Sequence, residues 1–525
     1  TPDRVQLKKW GGVALFWMAA AVLLFVGIRE RSFWTDEWYA FKYFDLSFVD
    51  FIKEYWRNPD NHAPGYYLVL MAFVKLFGRH DFVVRLPSLL AGFGALVMTY
   101  RIARLFAGKD EKWPYYAVLL AASAPFLVIL SQTARFFTLS AVAALFTIYA
   151  LIRWITERHR RWLVYHALGF VAIGYLDYPT ALYVWLGTAF VVAVTAIRTR
   201  AWKELGAWAL AMVGAGVMLS PLIPIALREA GAEAAYGADV FSSGLLAWLL
   251  RFGSYAYAVL YGYVSFYWDW EITIPLVFAV AMLMYVALVG RGARPRFWRQ
   301  PMAIVATMGV VGICANTLLL HFLPRYTPLA FPRYVSFALY LWFIALAWGI
   351  FWLTAGHRRI RVIVVASLLF VNAWGLFVHF GKQSIDPTLF SGGDRALYMV
   401  IAQEARPGDY LFLNDDFPLV LVDWYRERYF KTVTPIGDIP SETFFDEHPG
   451  SRLWVIGYGY DDREGFRAPI VKAQDVAANL GDRARIVEKG YARAVDTRFR
   501  AWKERLTGHP TYSHKVGLFL VESEQ

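Results

Sequence analysis

Two adjacent carboxylates, Asp36 and Glu37, stand among aromatic residues in the segment SFWTDEWYAF, just after the first long apolar run. Acidic side chains this close to a membrane span are costly to keep and usually serve a function. A carboxylate at the end of a span can act as a general base on a hydroxyl or an amine. The segment therefore predicts an enzyme whose acid or base lies at the outer face of a membrane.

Further polar residues fall at the predicted outer ends of other apolar runs. Arginines at such ends can bind a phosphate through paired hydrogen bonds. Each residue alone also fits an ordinary role, such as an arginine reaching to the interface or a helix cap. A base and several arginines together are what transfer of a group from a phospholipid-like donor requires. These residues are His62, His80, Arg85, Gln132, Arg135, Asp177, Tyr178, Arg325, Arg333 and Tyr334.

Composition predicts an integral membrane protein. Hydrophobic residues make up 58% of the chain and charged residues 18%, against about 45–50% and about 25% in soluble domains. Mean hydropathy is +0.39. Lys and Arg number 53 against 41 Asp and Glu, but they fall in short clusters between apolar runs. That distribution marks cytoplasmic loops, so we predict no nucleic-acid partner.

Eleven apolar runs are near the length that a membrane span needs. The basic clusters fall on one side of them, which places the amino terminus in the cytoplasm. Segment 62–78 is too short to span, and we predict an interfacial helix on the outer leaflet. Segment 228–271 then lies on the outer side. The predicted runs are 11–28, 86–107, 115–130, 137–152, 163–175, 180–197, 207–227, 272–289, 302–320, 335–353 and 362–378.

The composition changes after residue 380, which predicts a membrane domain at 1–380 and a second domain at 381–525. The long apolar runs give way to short ones, which indicate strands alternating with helices. We predict a soluble α/β domain that the odd number of spans places outside the cell membrane. The short runs are YLFL at 410, LWVIGYG at 453 and VGLFLVE at 516.

Four sequence blocks resemble, in order and spacing, bacterial glycosyltransferases of the GT-C superfamily. They are similar to the branch that holds protein O-mannosyltransferases and the lipid A aminoarabinose transferase, often called glycosyltransferase family 39. A weaker likeness to a late outer loop of such enzymes lies in FPRYVSFAL. The four blocks are SFWTDEWYAF, HAPGYYLVLMAFVKLFG, FVVRLPSLLAGFGALVMTYRIARLF and SAPFLVILSQTARFFTLSAVAALFTIYALIRW.

The resemblance implies an inverting transferase in the bacterial cytoplasmic membrane that uses a polyprenyl-phosphate sugar. It implies that Asp36 deprotonates the acceptor and that Glu37 orients the site. It implies that the donor phosphate is bound by Arg85, Gln132, Arg135 and Arg333. His62, Asp177, Tyr178 and Tyr334 are expected to line the substrate site. Expected partners are the lipid-linked sugar, membrane lipid and a glycan, lipid or protein acceptor.

The chain departs from relatives at three places. Relatives commonly have Glu where this chain has Thr133, His-Pro-Pro where it has His62, Ala63 and Pro64, and His-Tyr at Asp177 and Tyr178. The resemblance implies no cofactor. A divalent cation, Mg²⁺ or Mn²⁺, bridged by Asp36 and Asp177 is an open alternative, because oxygen ligands suit these ions.

Two other functions stay open beside the transferase. One is a transporter of lipid-linked sugars, although the runs carry few charges and no repeated pair of broken helices. The other is a catalytically inactive GT-C-like protein in an envelope assembly. Retention of the motif residues favours the enzyme; they are Asp36, Glu37, Arg85, Gln132 and Arg135.

Overall fold

The computed structural model divides into two compact units. The first comprises Thr1–Val26, Tyr43–Gly262 and Ile274–Leu376, and the second comprises Gly27–Lys42, Tyr263–Thr273 and Phe377–Gln525. The residues that the structure describes are 4–26, 28, 33, 37, 40–58, 62–108, 111–226, 304–305, 307–310, 332–381, 394–413, 424–427, 429–459, 469–481, 484–493 and 515–523.

The first unit is helical throughout its described part. A short 3-10 turn, Pro332–Val335, leads into the helix Ser336–Leu353. The helices are α1 (Arg4–Phe25), α2 (Phe48–Arg57), α3 (Gly65–Phe77), α4 (Asp81–Arg104), α5 (Trp113–Ser123), α6 (Pro125–Ser131), α7 (Phe137–Glu157), α8 (Arg160–Leu176), α9 (Tyr178–Thr199), α10 (Trp202–Leu219), α11 (Ser336–Leu353) and α12 (Arg358–Gly381).

Six helices in the described part are long and apolar enough to cross a membrane, or seven if the bent pair α5 and α6 is one span. Predicted run 272–289 lies outside the described residues, and run 302–320 is described only at 304–305 and 307–310. The predicted total of eleven spans therefore stays a prediction. A mostly helical, multi-span architecture is confirmed.

The predicted run 115–130 is one apolar stretch in the sequence but two helices in the structure. α5 and α6 meet at an angle of 68°. Ala124 between them is extended, with φ −68° and ψ 119°. The next residue, Pro125, disfavours a helical conformation at its predecessor and has no N–H to continue the hydrogen-bond ladder. This proline explains the bend.

Small residues and a buried histidine hold the helices of the first unit together. A Cβ on Gly92 in α4 would lie 2.3 Å from Ser131 Oγ, so α4 packs closely on the end of α6. His166 in α8 lies with Nδ1 3.0 Å from the Thr147 carbonyl oxygen and accepts from Trp208 Nε1 at 3.1 Å. These bonds connect α7, α8 and α10 and satisfy both ring nitrogens.

Two short helices, α2 and α3, lie between α1 and α4 in the sequence. In α2, Phe51 and Tyr55 are buried, whereas Phe48 and Trp56 are exposed. Sequence analysis did not predict this helix. α3 falls within the segment expected to lie at the interface, and its 13 residues would reach only about 20 Å. Its position on the outer leaflet stays a prediction.

The second unit contains a five-stranded mixed sheet in the order β2-β1-β3-β5-β4. β1 pairs in parallel with β2 and β3, while β5 is antiparallel to β3 and β4. The three predicted runs at 410, 453 and 516 are β1, β3 and β5. The elements are α13 (Asp394–Glu404), β1 (Tyr410–Leu413), β2 (Thr434–Ile436), α14 (Phe444–Glu447), β3 (Leu453–Gly459), α15 (Pro469–Asn479), β4 (Ala484–Arg493) and β5 (Lys515–Ser523).

The core of this unit lies where α15 covers the central strands. Leu453 and Val455 of β3 pack there with Val476. Trp454, on the opposite face of β3, is also fully buried, and its Nε1 donates to Asp409 at 2.9 Å. Burial on both faces explains why these strands are continuous apolar runs rather than alternating ones. That the unit is soluble and extracytoplasmic stays a prediction.

Candidate functional site

The helix face that carries Arg85 and the turn that carries Arg135 are joined at the start of α4 and before α7. Arg85 and Arg135 are both fully buried. Ser88 Oγ donates to the Arg135 carbonyl at 2.8 Å, and Thr138 Oγ1 donates to the Ser88 carbonyl at 2.8 Å. Arg85 precedes Ser88 by three residues, so both lie on one face of α4. The face of α4 that carries Arg85 is therefore the one that is hydrogen-bonded to the turn at Arg135.

A third arginine approaches the same turn from the start of α11. Arg333 is 8% exposed, and its Cζ lies 5.5 Å from the centre of the Phe137 ring. The neighbouring Tyr334 ring lies 6.1 Å from Phe136 and 5.9 Å from Phe137. Aromatic packing therefore places the Arg333 turn against residues 135–137.

His62 reaches this region from the segment before α3. Its ring centre lies 4.9 Å from that of Phe136. Tyr55 of α2 donates its hydroxyl to the His62 carbonyl at 2.6 Å, which fixes the backbone there. A Cβ on Gly65 would lie 2.5 Å from the Tyr175 carbonyl oxygen. The start of α3 thus packs on the end of α8, next to Asp177.

Asp177 caps α9 and faces two of the arginines. It accepts from the Thr180 backbone N–H at 3.2 Å and contacts the Thr180 hydroxyl. Burial raises the pKa of Asp177 to about 7, although Thr180, Arg135 and Arg333 act in the opposite direction. Burial prevails because it removes water from the charged form. The charges of Arg135 and Arg333 are thus close enough to act on this carboxyl group.

The Thr180 hydroxyl lies between two acceptors but has one proton. Its Oγ1 contacts Asp177 Oδ2 and also lies 2.8 Å from the Tyr334 carbonyl oxygen. A hydroxyl can donate one hydrogen bond and accept others. Because the Thr180 hydroxyl has one proton, it donates to Asp177 or to the Tyr334 carbonyl, but not to both at once. Asp177 is thus held by the backbone N–H and the hydroxyl of Thr180, while burial raises its pKa to about 7.

This arrangement concentrates positive charge at the ends of α4, α7, α9 and α11. Arg85, Arg135 and Arg333 are three buried cations, and Asp177 is the acidic residue among them. Arginines in a site of low dielectric constant bind and stabilise anions strongly. The cluster of Arg85, Arg135, Asp177 and Arg333, here called the arginine cluster, is chemically suited to a phosphate group.

The predicted acidic pair belongs to the second unit. Asp36 lies outside the described residues, whereas Glu37 is fully buried. Around it, Phe33 donates its backbone N–H to the Tyr425 hydroxyl at 3.4 Å. Phe41 packs on Trp424, with 4.7 Å between ring centres. These contacts attach the segment that carries the acidic pair to the second unit.

Other predicted residues fall in different surroundings. Tyr178, the first residue of α9, is half-buried next to Asp177, and His80 is exposed at the start of α4. Arg325 lies outside the described residues. Among the described residues, no group of three His, Cys, Asp or Glu side chains is placed to hold a metal ion. The alternative of a metal at Asp36 and Asp177 needs a residue outside that part of the chain.

Gln132 was expected to bind the donor phosphate, and its contacts bear on that role. The side chain is fully buried, and Nε2 donates to the carbonyls of Leu24 at 3.0 Å and Val26 at 2.6 Å. An amide group has two hydrogens. Both are engaged at the end of α1, so none is left to donate to a phosphate while these bonds persist.

Sequence reasoning missed Ser88 and Thr180 as members of the site. Both carried a signal in their spacing. Ser88 follows Arg85 by three residues, one helical turn, and so shares its face. Thr180 follows the capping Asp177 by three residues, at the position where a cap's side chain meets the backbone of the first turn. Their partners, Arg135 and Tyr334, are remote in sequence and could not be read from it.

Residues 61–225 match a family described as dolichyl-phosphate-mannose-protein mannosyltransferase. The predicted resemblance to GT-C superfamily glycosyltransferases is confirmed over this segment. It includes His62, Arg85, Gln132, Arg135 and Asp177. The acidic pair precedes it, and the Arg333 turn follows it.

Two solved structures are similar to the chain at low identity. The ArnT of Cupriavidus metallidurans in the apo state is 16% identical, with 86% of this chain and 93% of that chain covered and a TM-score of 0.42. The same protein bound to undecaprenyl phosphate is 15% identical, with coverages of 97% and 98% and a TM-score of 0.42. No curated protein matches the chain significantly.

Proposed function

We propose that this protein is an inverting glycosyltransferase of the cytoplasmic membrane that moves a sugar from a polyprenyl-phosphate donor to an acceptor of the cell envelope. The observation that supports this most is the arginine cluster, which brings three buried cations to one group of helix ends. The family match over residues 61–225 includes two of these arginines. The described spans supply the membrane context that a lipid-linked donor requires.

The arginine cluster would act on the leaving group. In the donor, phosphate departs from the anomeric carbon as negative charge develops on its oxygens. Preorganised arginines in a buried site stabilise that charge without having to reorganise during the reaction. Arg85, Arg135 and Arg333 take this role in the proposal. His62, Tyr178 and Tyr334, at the same helix ends, would line the substrate site.

Asp36 would act as the base for the acceptor, and this role comes from the sequence resemblance. As the acceptor oxygen or nitrogen bonds to the anomeric carbon, its proton becomes acidic and passes to a carboxylate. Glu37 would orient the acidic segment, in keeping with its complete burial. Attack opposite to the departing phosphate inverts the anomeric configuration. The proposal needs no metal ion, because the arginines supply the positive charge.

Turnover by the full-length protein and its Asp36→Asn variant tests the proposal. Both proteins, reconstituted in lipid, are incubated with radiolabelled polyprenyl-phosphate sugars and an envelope extract, and released carrier phosphate is measured. We expect release by the parent and a loss of at least about a hundredfold in the variant. Equal release by both proteins would exclude Asp36 as the base. No release with any donor would favour a binding role in an envelope assembly, and movement of intact donor across the bilayer would favour a transporter.

A further inference from the structure

Gln132 links the end of α1 to the turn that carries Arg135. It follows Ser131, the last residue of α6, and precedes Arg135 by three residues. Its side chain donates to Leu24 and Val26, which are 108 and 106 residues away in sequence. Carbonyls in the last turn of a helix have no donor within that helix. Gln132 supplies one from a distant segment and so caps α1.

The orientation of the Gln132 amide follows from its partners. Both are carbonyl oxygens, so the group that faces them must be the NH₂ rather than the oxygen. Oε1 then points the other way, and it has no hydrogen-bond partner among the described residues. Oε1 is an acceptor, and the phosphodiester of a polyprenyl-phosphate sugar has no proton to donate to it. The chemistry of this side chain is therefore that of a clamp rather than a phosphate ligand.

The clamp lies where the chain leaves the first unit. That unit ends its first segment at Val26, and the second unit begins at Gly27. Asp36 follows Val26 by ten positions in the sequence. On its other side, the same turn carries Arg135, whose carbonyl accepts from Ser88 of α4. One turn of chain thus fixes both the α4 face bearing Arg85 and the exit of α1.

We propose that Gln132 is a positioning residue that fixes the exit of α1, from which the acidic segment starts, and that it does not bind the donor phosphate. The inference rests on the proposed transferase function. Loss of the clamp leaves the carbonyls of Leu24, which is buried, and Val26, which is 46% exposed, without this donor, and the last turn of α1 opens to water. Catalytic turnover then falls because the end of α1, from which the chain continues to Asp36, is no longer held by Gln132. The affinity for carrier phosphate is retained, because Arg85, Arg135 and Arg333 are intact.

The test compares Gln132→Met with Arg135→Gln in the full-length protein. Methionine keeps the length and flexibility of glutamine but has no donor. Gln403→Met, at an exposed position of α13, is the matched control. Three quantities are measured: the Kd for undecaprenyl phosphate, the kcat and KM for the donor, and hydrogen exchange of peptides that cover residues 20–30.

For Gln132→Met we expect exchange at residues 20–30 to accelerate and kcat to fall, each about tenfold, with the Kd for undecaprenyl phosphate within about twofold of the parent. Arg135→Gln should instead raise that Kd about tenfold or more. A Kd raised equally by both variants would make Gln132 a phosphate ligand and overturn the inference. So would unchanged exchange or an unchanged kcat. If neither variant altered the Kd, the phosphate role of the arginine cluster would fail, and the exchange result would still decide the clamp.

Discussion

The pKa of Asp177 shows how strongly burial acts on a carboxyl group. Its carboxyl group is buried beside two arginines, yet its pKa is raised to about 7. Burial outweighs the arginines because desolvation acts on the whole charge of the carboxylate. With its pKa raised, Asp177 offsets less of the positive charge of the arginine cluster than a fully ionised carboxylate would.

The raised pKa of Asp177 predicts a pH-dependent stability. The folded protein keeps the Asp177 proton up to about pH 7, whereas the unfolded chain loses it near the ordinary value of 3.8. Between these values the folded state binds more protons, so this residue lowers the free energy of unfolding as pH rises. In Asp177→Asn that contribution is absent. We expect the apparent Tm of the variant, relative to the parent, to rise from pH 5 to pH 8 in detergent micelles.

The control for this experiment is Asp438→Asn, because Asp438 is at an exposed position. Its Tm difference from the parent should stay nearly constant over the same pH range. A parallel pH dependence in Asp177→Asn and the parent would mean that Asp177 is ionised in the folded protein.

A substitution at Arg333 can separate the effect of charge from that of side-chain shape in the arginine cluster. Arg333→Lys keeps the positive charge but loses the planar fork that binds two phosphate oxygens at once. We expect the Kd for undecaprenyl phosphate to rise about tenfold. Arg359→Lys, at an exposed position of α12, should leave the Kd unchanged. Equal affinity in Arg333→Lys and the parent would limit this residue to a general electrostatic role.

At the scale of the element, close helix contacts decide where the site residues lie. The start of α3 rests on the end of α8 through Gly65, with no room for a side chain. This contact brings the His62 segment next to the Asp177 cap. The bend at Pro125 similarly sets the direction of α6. At the end of that helix, Gln132 reaches the end of α1. Backbone approach, rather than any one polar contact, sets these distances.

Gly65→Ala tests the contact between α3 and α8. The new Cβ would lie 2.5 Å from the backbone oxygen of Tyr175, which cannot rotate away as a side chain would. We expect a loss of about 1–3 kcal/mol in the free energy of unfolding, measured as a lower apparent Tm. Alanine stabilises a helix by about 0.5–1 kcal/mol relative to glycine. A lower Tm would therefore report the close contact rather than helix propensity.

Gly214→Ala in α10 is the matched control for that prediction. No described atom lies within 4 Å of a Cβ added there. Helix propensity alone should act, and the apparent Tm should stay equal or rise slightly. A Tm for Gly65→Ala equal to that of Gly214→Ala would show that α3 and α8 are separated in solution.

At the scale of the whole molecule, the sidedness of the chain is the prediction that matters most for function. An enzyme that uses an envelope acceptor needs its second unit outside and its basic loops in the cytoplasm. The chain has a single cysteine, Cys314, so a Cys314→Ser background permits single-site labelling. Glu442→Cys in the second unit and Arg359→Cys at the start of α12 are both at exposed positions.

A membrane-impermeant thiol reagent applied to intact cells should label Glu442→Cys and leave Arg359→Cys unlabelled. After the membrane is permeabilised, both should react. Labelling of Arg359→Cys alone in intact cells would show that the chain has the opposite orientation in the membrane. The predicted extracytoplasmic position of residues 381–525 would then be wrong.

The sequence by itself determined the mostly helical, multi-span class of this protein and singled out candidate site residues. Hydropathy sets the apolar helices, because backbone groups in lipid must bond within their own segment. Short apolar runs sufficed for β1, β3 and β5, since strands buried on both faces need no alternation. Arg85, Arg135 and Asp177 could be singled out because ionisable residues at span ends are costly.

Only the tertiary structure decided what those residues touch. The Thr180 hydroxyl meets the Tyr334 carbonyl across 154 residues, and the Gln132 amide meets Leu24 across 108. Such pairings depend on how helices pack, which no local pattern encodes. Packing therefore set the burial that raises the pKa of Asp177 and engaged both amide hydrogens of Gln132, because burial and proton count act only once the partners are in place.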